Sequence, residues 1–392
     1  MKMLIIADDI TGAADTAAPF AVMGSSVDLV IPAIAPLGNY KGNPDVLAVS
    51  TETRDADALS VYEYEDIVQA LIETADNVLS PAYTVYKKID STLRGHIECE
   101  LTTLRHLYPD RLLVVCPAFP EMGRCVVDGQ LINSRLPNAE HVPVGQRLGR
   151  LGETAVYLTS EQIRSGAASA TIARYHSDGS RIVICDTETP EDLRQIAVAV
   201  DDNMHRVLPV ASGGLARAIA NVSELVPNCT QVPVGHLLAL IGSRNAVSRQ
   251  QAFNAMLDDE VSAYSNIQNA LDALTGAQRA RCAIIVGDMK EQEAGATLAK
   301  MLAGSEEILC HANIVLFATG GDTAMHMLSR IPQAKYLKVL GEYAPGIPIC
   351  EIQSEHPSQT SSNRLLLKSG GFGDLELLRR ICKHISGEVL SH

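Results

Sequence analysis

The chain has 392 residues, of which 46% are hydrophobic and 20% charged, a composition typical of a globular protein with about two domains. Its formal net charge is -14, and it shows no basic stripe of the kind found on nucleic-acid binders, so we expect no nucleic-acid partner. The apolar start of MKMLIIADD is too short for a signal peptide, and no apolar run is long enough to span a membrane. The nine cysteines are scattered without a CxxC pair. We therefore predict a reduced, cytoplasmic protein without membrane contact.

Short apolar runs alternate with helical patterns along the first half of the chain. The predicted strands are Met3–Ala7, Val27–Ile31, Val46–Val49, Thr84–Lys87, Leu112–Cys116 and Ile182–Cys185, with helical spacing over residues 61–80 and 191–206. Residues 225–235 are polar and rich in breakers, which makes them the candidate linker. The alternation then resumes, with strands predicted at Leu237–Ile241, Ala283–Val286, Ile314–Phe317, Tyr336–Leu340 and Arg364–Leu367. We therefore predict an α/β fold with two domains, residues 1–228 and 236–392, each a mainly parallel sheet flanked by helices, and an interdomain cleft.

Two adjacent acids, Asp8 and Asp9, follow the first predicted strand and precede a predicted helix. One of them is expected to cap the helix, because a carboxylate at a helix start accepts hydrogen bonds from its free amides. Two acids are more than a cap requires, and ligands bind at the carboxyl ends of parallel strands. We therefore predict that one of the two binds a ligand or transfers a proton.

The segment KKIDSTLRGHIECEL at residues 87–101 is the densest polar cluster and follows another predicted strand. Alternation along a strand places Lys88 and Asp90 on one face and Lys87 on the other. Asp90 or Ser91 is a candidate cap for the next helix. A carboxylate ligand requires fixed positive charge, and Arg54 in STETRD could supply a bidentate grip. In the shaped loop CPAFPEMGRCVVDGQL, Arg124 beside Gly123 is a further candidate anion contact.

Three glycine-containing turns follow predicted strands in the second half, within LIGSRNAVSRQQ, FATGGDTAMHML and LKSGGFGDLELL. Amides at such helix starts attract phosphate, and paired glycines let a phosphate approach the backbone. Ser243 either adds a hydroxyl to such a site or only caps its helix. Asp322 either acts as a base beside the γ-phosphate or only caps its own helix. Three such turns in one domain predict a nucleotide pocket. The Walker, dinucleotide-binding, zinc-protease and nucleophile-elbow motifs are absent.

The motifs LIIADDITGAADTA, KKIDSTLRGHIECEL, CPAFPEMGR, ASGGLARAIA, GSR, ATGGDTA, GEYAPGIP and KSGGFGD, in this order, resemble the four-carbon acid sugar kinase family over essentially the whole chain. The resemblance implies an N-terminal acid-sugar domain and a C-terminal ATP domain. It also implies phosphorylation of the terminal hydroxyl of an acid such as threonate, erythronate or 3-oxo-tetronate. GAAD at residues 12–15 is more similar to erythronate-type members.

Carried over by motif, the resemblance implies substrate contacts at Asp9, Arg54, Lys87, Lys88, Ile89 and Asp90. It implies ATP contacts at Ser243, Thr319, Gly320, Gly321, Asp322, Thr323 and Gly371, and the last glycine turn adds Lys368 and Gly370. The implied cofactors are ATP and Mg²⁺, the ion bridging the phosphates through metal ligands that the sequence does not identify.

We expect Arg54 and Lys88 to hold the substrate carboxylate, while Asp9 binds a hydroxyl and accepts its proton. Asp322 is a rival general base. Two other classes stay open, an ATP-dependent ligase or synthase that activates a carboxylate and a non-catalytic sugar-acid sensor. The choice of acid sugar and the oligomeric state also stay open, a homodimer being one expectation.

Overall fold

The computed structural model describes residues 2–79, 82–134, 141–222, 233–265, 267–275, 280–287, 302, 313–331, 334–354 and 364–387. The chain divides into two compact units, the first formed by Met1–Val27 and Leu37–Pro227 and the second by Asp28–Pro36 and Asn228–His392. Most of the expected linker lies outside the described residues, so the boundaries 1–228 and 236–392 stay predictions. In the described ranges, no helix combines the length and apolar character needed to cross a membrane.

The first unit is built on a parallel sheet with the strand order β3-β1-β4-β11-β5-β10-β9. A three-stranded antiparallel sheet, β6-β7-β8, comes between β5 and β9 in the chain. The strands of the first unit are β1 (Met3–Ala7), β3 (Val46–Ser50), β4 (Thr84–Lys88), β5 (Leu112–Cys116), β6 (Arg124–Val127), β7 (Gln130–Asn133), β8 (Val142–Pro143), β9 (Val156–Leu158), β10 (Ile182–Cys185) and β11 (Val207–Ala211). Strand β2 (Val27–Val30) starts on the last residue of the segment Met1–Val27, and its other residues belong to the second unit. The helices of the first unit are α1 (Ile10–Val22), α2 (Val61–Val78), α3 (Ile97–Leu107), α4 (Val144–Arg147), α5 (Ser160–Arg164), α6 (Ala168–Ser177), α7 (Pro190–Asp202) and α8 (Gly213–Val222).

Burial explains why these sequences form strands and helices. The strands MLIIA, LLVVC and IVIC are buried at every position, as expected for parallel strands covered by helices on both faces. Helix α2 begins at a capping box between Ser60 and Glu63 and buries one stripe of side chains, Tyr64, Val68, Leu71 and Ala75. Spacing and caps therefore act together to place this helix where the sequence predicts it.

The second unit repeats the plan with the strand order β13-β14-β12-β15-β18-β17-β16. Its strands are β12 (His236–Ile241), β13 (Val261–Tyr264), β14 (Cys282–Val286), β15 (Ile314–Thr319), β16 (Ala334–Ala344), β17 (Ile347–Ser354) and β18 (Arg364–Lys368). Its described helices are α9 (Ala246–Ala255), α10 (Ile267–Thr275), α11 (Gly321–Leu328) and α12 (Leu377–Ile385). The first five strands of this order are parallel, whereas β16 and β17 form an antiparallel hairpin whose second strand also pairs antiparallel with β18.

Candidate active site

Three neighbouring parallel strands of the first unit end at one edge of the sheet. Strand β1 lies between β3 and β4, and the polar segments that follow these three strands therefore meet. They carry Asp8 and Asp9 after β1, Arg54 after β3, and Lys88 and Asp90 at the end of β4. We call these five residues the charged group.

Arg54 is the central cation of the charged group. Its Nε and Nη2 atoms donate to the two oxygens of Asp8 at 2.8 and 2.7 Å, a bidentate pair buried from solvent. Its Nη1 atom lies 2.6 Å from Asp9 Oδ2. Burial alone would raise the pKa of Asp8, but the charge and hydrogen bonds of Arg54, helped by two nearby lysines, lower it. Asp8 is therefore a carboxylate, and the fork of Arg54 is occupied by protein acids rather than directed at open space.

Asp9 is the N-cap of α1, since its Oδ1 accepts the Gly12 amide at 2.8 Å. This confirms that one acid of the pair caps the helix. Its other oxygen accepts the Thr11 hydroxyl at 2.7 Å and lies beside Arg54. Asp9 is only 7% exposed, so these contacts hold the carboxylate in one orientation.

Asp90 accepts two hydrogen bonds from the Arg94 guanidinium, at 3.1 and 3.0 Å, and lies 4.0 Å from Arg54. Burial would raise its pKa, but the hydrogen bonds and charge of Arg94, together with Arg54, lower it strongly. The N-cap of the next helix is His96 without a side-chain hydrogen bond, so the prediction that Asp90 or Ser91 caps it is wrong. The turn that Asp90 forms with Thr92 and Arg94 ends before the helix begins.

Lys88 differs from Arg54, the other cation of the charged group. It is 5% exposed, and its ammonium has no hydrogen bond or ion pair with any residue in the described part of the chain. Gly12 shows where this ammonium lies: a Cβ on Gly12 would be 2.5 Å from Asp9 Oδ1, 3.0 Å from Lys88 Nζ and 3.5 Å from Arg54 Nη2. A Cβ at this position would clash, so the ammonium, a carboxylate and a guanidinium converge closely beside Gly12.

Lys87 points to the opposite face, as strand alternation predicts. Its fully buried ammonium donates to Glu100 at 2.8 Å and lies 5.5 Å from the centre of the Tyr64 ring. Burial raises the pKa of Glu100, an effect that Lys87 opposes. The structure therefore does not bring the Lys87 ammonium to the space beside Gly12.

Two further predicted substrate contacts are Ile89 and Arg124. The Ile89 side chain is buried, and its amide donates to Ala211 at 3.0 Å, so only its carbonyl is left to meet a ligand. Arg124 begins β6 of the antiparallel sheet, where its backbone bridges to Phe119. The substrate contacts of both residues stay predictions.

In the second unit three strand ends again meet, because β15 lies between β12 and β18. The turns that follow are joined by backbone hydrogen bonds, from the Ser243 amide to Thr319 at 3.1 Å and from the Gly320 amide to Lys368 at 3.0 Å. All the predicted nucleotide contacts lie on these turns, namely Ser243, Thr319, Gly320, Gly321, Asp322, Thr323, Lys368, Gly370 and Gly371.

Helix α11 starts at this place without a side-chain cap. Its N-cap is Gly320, at φ 94°, a conformation that suits glycine, and Asp322 lies inside the first helical turn. Asp322 therefore does not cap its helix. The cap of α9 is Asn245 rather than Ser243, whose hydroxyl accepts the Asn245 amide at 3.2 Å. An uncapped helix start presents amide donors and a positive dipole end, which suits a phosphate group.

Comparisons with known proteins agree with this division of the chain. The sugar-binding N-terminal domain family matches residues 3–219, more than half of the chain, and the nucleotide-binding C-terminal domain family matches residues 238–378. The D-threonate kinase of Bordetella bronchiseptica is 29% identical over 418 residues, which cover 97% of this chain and 96% of that protein. The D-erythronate kinase of Heliobacterium modesticaldum is 29% identical over 270 residues, covering 64% of this chain and 59% of that protein. A crystal structure from Salmonella typhimurium LT2 has the same fold, with a TM-score of 0.73 at 19% identity, and the match covers 97% of this chain and 98% of that one.

The chain therefore belongs to the four-carbon acid sugar kinase family. Family membership confirms two predictions, the two-domain α/β fold and a sugar-acid kinase. The match of the second half to a nucleotide-binding domain family agrees with the nucleotide pocket predicted there.

Sequence reasoning named Arg54 and Lys368 but not their partners in the structure, and it missed Ser248 and Glu100. Arg54 lies 46 positions from Asp8, and Lys368 lies 120 positions from Ser248, so no local pattern indicates either pair. Glu100 carries a signal in retrospect, because an acid inside the apolar stripe of α3 requires a buried cation as partner.

Proposed function

We propose that this protein transfers the γ-phosphoryl group of ATP to the terminal hydroxyl of a four-carbon acid sugar such as threonate, erythronate or 3-oxo-tetronate. The first unit would bind the acid and the second the nucleotide. The observation that carries the proposal is the nearly buried ammonium of Lys88 beside Gly12, which forms no hydrogen bond or ion pair with the residues that the structure describes.

The charges around Lys88 suit a small hydroxy acid. Three carboxylates, Asp8, Asp9 and Asp90, face Arg54, Lys88 and the nearby Arg94. Of these groups, Lys88 is left to take the substrate carboxylate, whereas the acids accept hydrogen bonds from hydroxyls. A ligand with a carboxylate and neighbouring hydroxyls satisfies both halves of this arrangement.

The proposed division of roles among the cations follows from their contacts. Arg54 would orient Asp8 and Asp9, and Lys88 would make the main contact to the substrate carboxylate. This changes the expectation that Arg54 and Lys88 both hold that carboxylate. Asp9 is the candidate base of the first unit, because its carboxylate lies beside the same space. Asp322 is the candidate base of the second unit.

The turns of the second unit fit an ATP polyphosphate. Helix α11 offers an uncapped start, and the glycines at 320, 321, 370 and 371 allow close approach of phosphate oxygens. Within the described ranges no cluster of three or more acidic, histidine or cysteine side chains could hold a metal. Mg²⁺ would bind the ATP phosphates and partly neutralise their charge.

Product analysis tests the proposal. The purified protein, ATP and Mg²⁺ are incubated with D-threonate, D-erythronate and 3-oxo-tetronate in turn, and phosphorus NMR follows the products. We expect ADP and a phosphate monoester from at least one acid. Formation of AMP or of an acyl phosphate would support the ligase alternative, and binding of an acid without turnover would support a sensor.

Lys88→Met tests the role of the ammonium directly. A hydrogen bond to a charged group contributes about 1.5–3 kcal/mol, so the KM for the acid should rise about 10- to 100-fold while the KM for ATP stays unchanged. Lys41→Met, at an exposed lysine of the same unit, is the matched control. An unchanged KM for the acid in Lys88→Met would remove this lysine from the substrate site.

A further inference from the structure

Lys368 is fully buried at the end of β18, and its ammonium is occupied by protein acceptors. It donates to Ser248 Oγ at 3.0 Å and to the carbonyls of Ser369 and Gly370 at 3.2 and 2.9 Å. An ammonium has three donors, so these contacts use all of them. The Lys368 side chain therefore faces into the protein beneath the glycine turn.

Ser248 connects this lysine to the other two turns. Its hydroxyl accepts from Lys368 and donates to the Gly370 carbonyl at 2.8 Å, and the Thr319 hydroxyl lies 3.4 Å away. Ser248 belongs to α9, Thr319 ends β15 and Lys368 ends β18. One buried hydroxyl thus joins the segments that follow all three neighbouring strands.

These contacts engage the carbonyl groups of the turn but not its amide groups. The carbonyls of Ser369 and Gly370 are held inward by the buried contacts. In the part of the chain that the structure describes, the amides of Gly370 and Gly371 donate to no protein group. A turn whose carbonyls are tied inward in this way leaves its amides for an anion.

Burial also matters for the charge of the lysine. It lowers the pKa of Lys368 to about 7, and within the described ranges no carboxylate forms an ion pair with this ammonium. A phosphate held by the turn would favour the charged form, which has all three donors that the contacts require.

We propose that Lys368 and Ser248 are a positioning pair that sets the Ser369–Gly371 turn, so that its amides bind the nucleotide phosphates while Lys368 itself does not contact them. The inference rests on the proposed nucleotide site of the second unit. It replaces the expectation of a direct Lys368 contact with an indirect role, and it adds Ser248, which the sequence did not indicate.

Four variants test the pair, namely Ser248→Ala, Lys368→Met, the double variant, and Lys338→Met at an exposed lysine of β16 as control. Each single variant of the pair should raise the Kd and KM for ATP about tenfold or more, with the KM for the acid unchanged and kcat at saturating ATP within about threefold. The double variant should be no weaker than the weaker single variant, because the two residues act as one unit.

Three results would refute the proposal that Lys368 and Ser248 position the turn together. A wild-type Kd for ATP in Ser248→Ala, with a loss confined to Lys368→Met, would mean that Lys368 contacts phosphate directly. If the losses of ATP affinity in the two single variants add up in the double variant, the two residues act independently. If the KM for ATP and the KM for the acid rise equally, the effect is a general structural one. If circular dichroism shows that Lys368→Met does not fold, the Kd for ATP of Ser248→Ala, measured by titration calorimetry, decides whether the proposal holds. Failure of wild-type turnover, with ATP binding intact and weakened in Ser248→Ala, would refute the proposed function and not the pair.

Discussion

Gly12→Ala places a single methyl group in the space where the charged group converges. The new Cβ would lie 2.5 Å from Asp9 Oδ1 and 3.0 Å from Lys88 Nζ, whereas ordinary contact begins at 3.4 Å. Asp9 cannot move without weakening its hydrogen bond to the residue 12 amide, at present 2.8 Å long. The carboxylate, the ammonium or both must therefore shift by a large fraction of an ångström.

Two opposing terms keep the stability of this variant close to that of the wild type. Alanine in place of glycine favours a helix by about 1 kcal/mol, and Gly12 lies within α1. A weakened N-cap costs about 0.5–2 kcal/mol. Since the two terms nearly cancel, we expect a melting temperature within a few degrees of the wild-type value. The kinetics with the acid should change much more than the stability.

Misplacement of reacting groups by about 1 Å can cost roughly 10²-fold in rate. We therefore expect kcat/KM for the acid to fall about 100-fold, with the Kd for ATP unchanged, measured by a coupled ADP assay and by calorimetry. Gly38→Ala is the control, because a Cβ there meets nothing within 4 Å. Wild-type kinetics for the acid in Gly12→Ala would refute the placement of the substrate beside Gly12, and a collapsed melting temperature would refute the balance of the two stability terms.

Three further predictions concern the groups around this space. Asp9→Asn should lower kcat by about 10²–10⁴-fold if this carboxylate is the general base, and an unchanged kcat in stopped-flow turnover would exclude it. Lys87→Met should cost about 3–5 kcal/mol in urea unfolding because it leaves Glu100 buried without its cation, and adding Glu100→Gln should restore much of that loss; full stability in Lys87→Met alone would argue against the pair. Arg54→Ala should reverse the pH dependence of stability: in the wild type the lowered pKa of Asp8 stabilises the fold above pH 3.8, and this stabilisation is lost on acidification. In the variant Asp8 is buried without Arg54, so the fold should become more stable as the pH falls from 7 to 5, and parallel dependences of the unfolding free energy on pH in both proteins would contradict this.

The parallel strands could be predicted from the sequence because strands covered on both faces are continuous apolar runs. Met3–Ala7, Leu112–Cys116 and Ile182–Cys185 coincide with the observed bounds, and the other predicted strands differ by a few residues. Strand β11 was missed because VLPVA contains Pro209, which argues against a central strand. Its position between β4 and β5 depends on pairing across the unit rather than on local pattern.

The antiparallel parts were missed although turn signals mark them. Asp128 and Gly129 both have positive φ between β6 and β7, and this dipeptide is a frequent hairpin turn. Gly346, also at positive φ, follows Pro345 between β16 and β17, where Pro-Gly is typical of a tight turn. The run at Tyr336–Leu340 was therefore a strand, as predicted, but a member of a hairpin and not of the parallel sheet.

The candidate site could be predicted as a set of segments but not as a set of contacts. Strand-end placement singled out Asp9, Lys88 and Asp90, and alternation separated Lys88 from Lys87. What each side chain does is decided by its partners. Arg54 and Lys368 are both cations on predicted loops, yet Asp8 occupies the fork of one and backbone carbonyls occupy the ammonium of the other.

The order of strands in the sheets has a consequence for synthesis on the ribosome. Strand β5 ends at Cys116, but its neighbour β11 is complete only at Ala211. At the usual elongation rate of about 5–20 residues per second, β4 and β5 wait roughly 5–20 s with their facing edges unpaired. Unpaired edges are where chains associate wrongly, so slower translation of residues 117–206 should increase aggregation of the nascent protein, and release of the chain before Val207 should leave the first unit without its central strand.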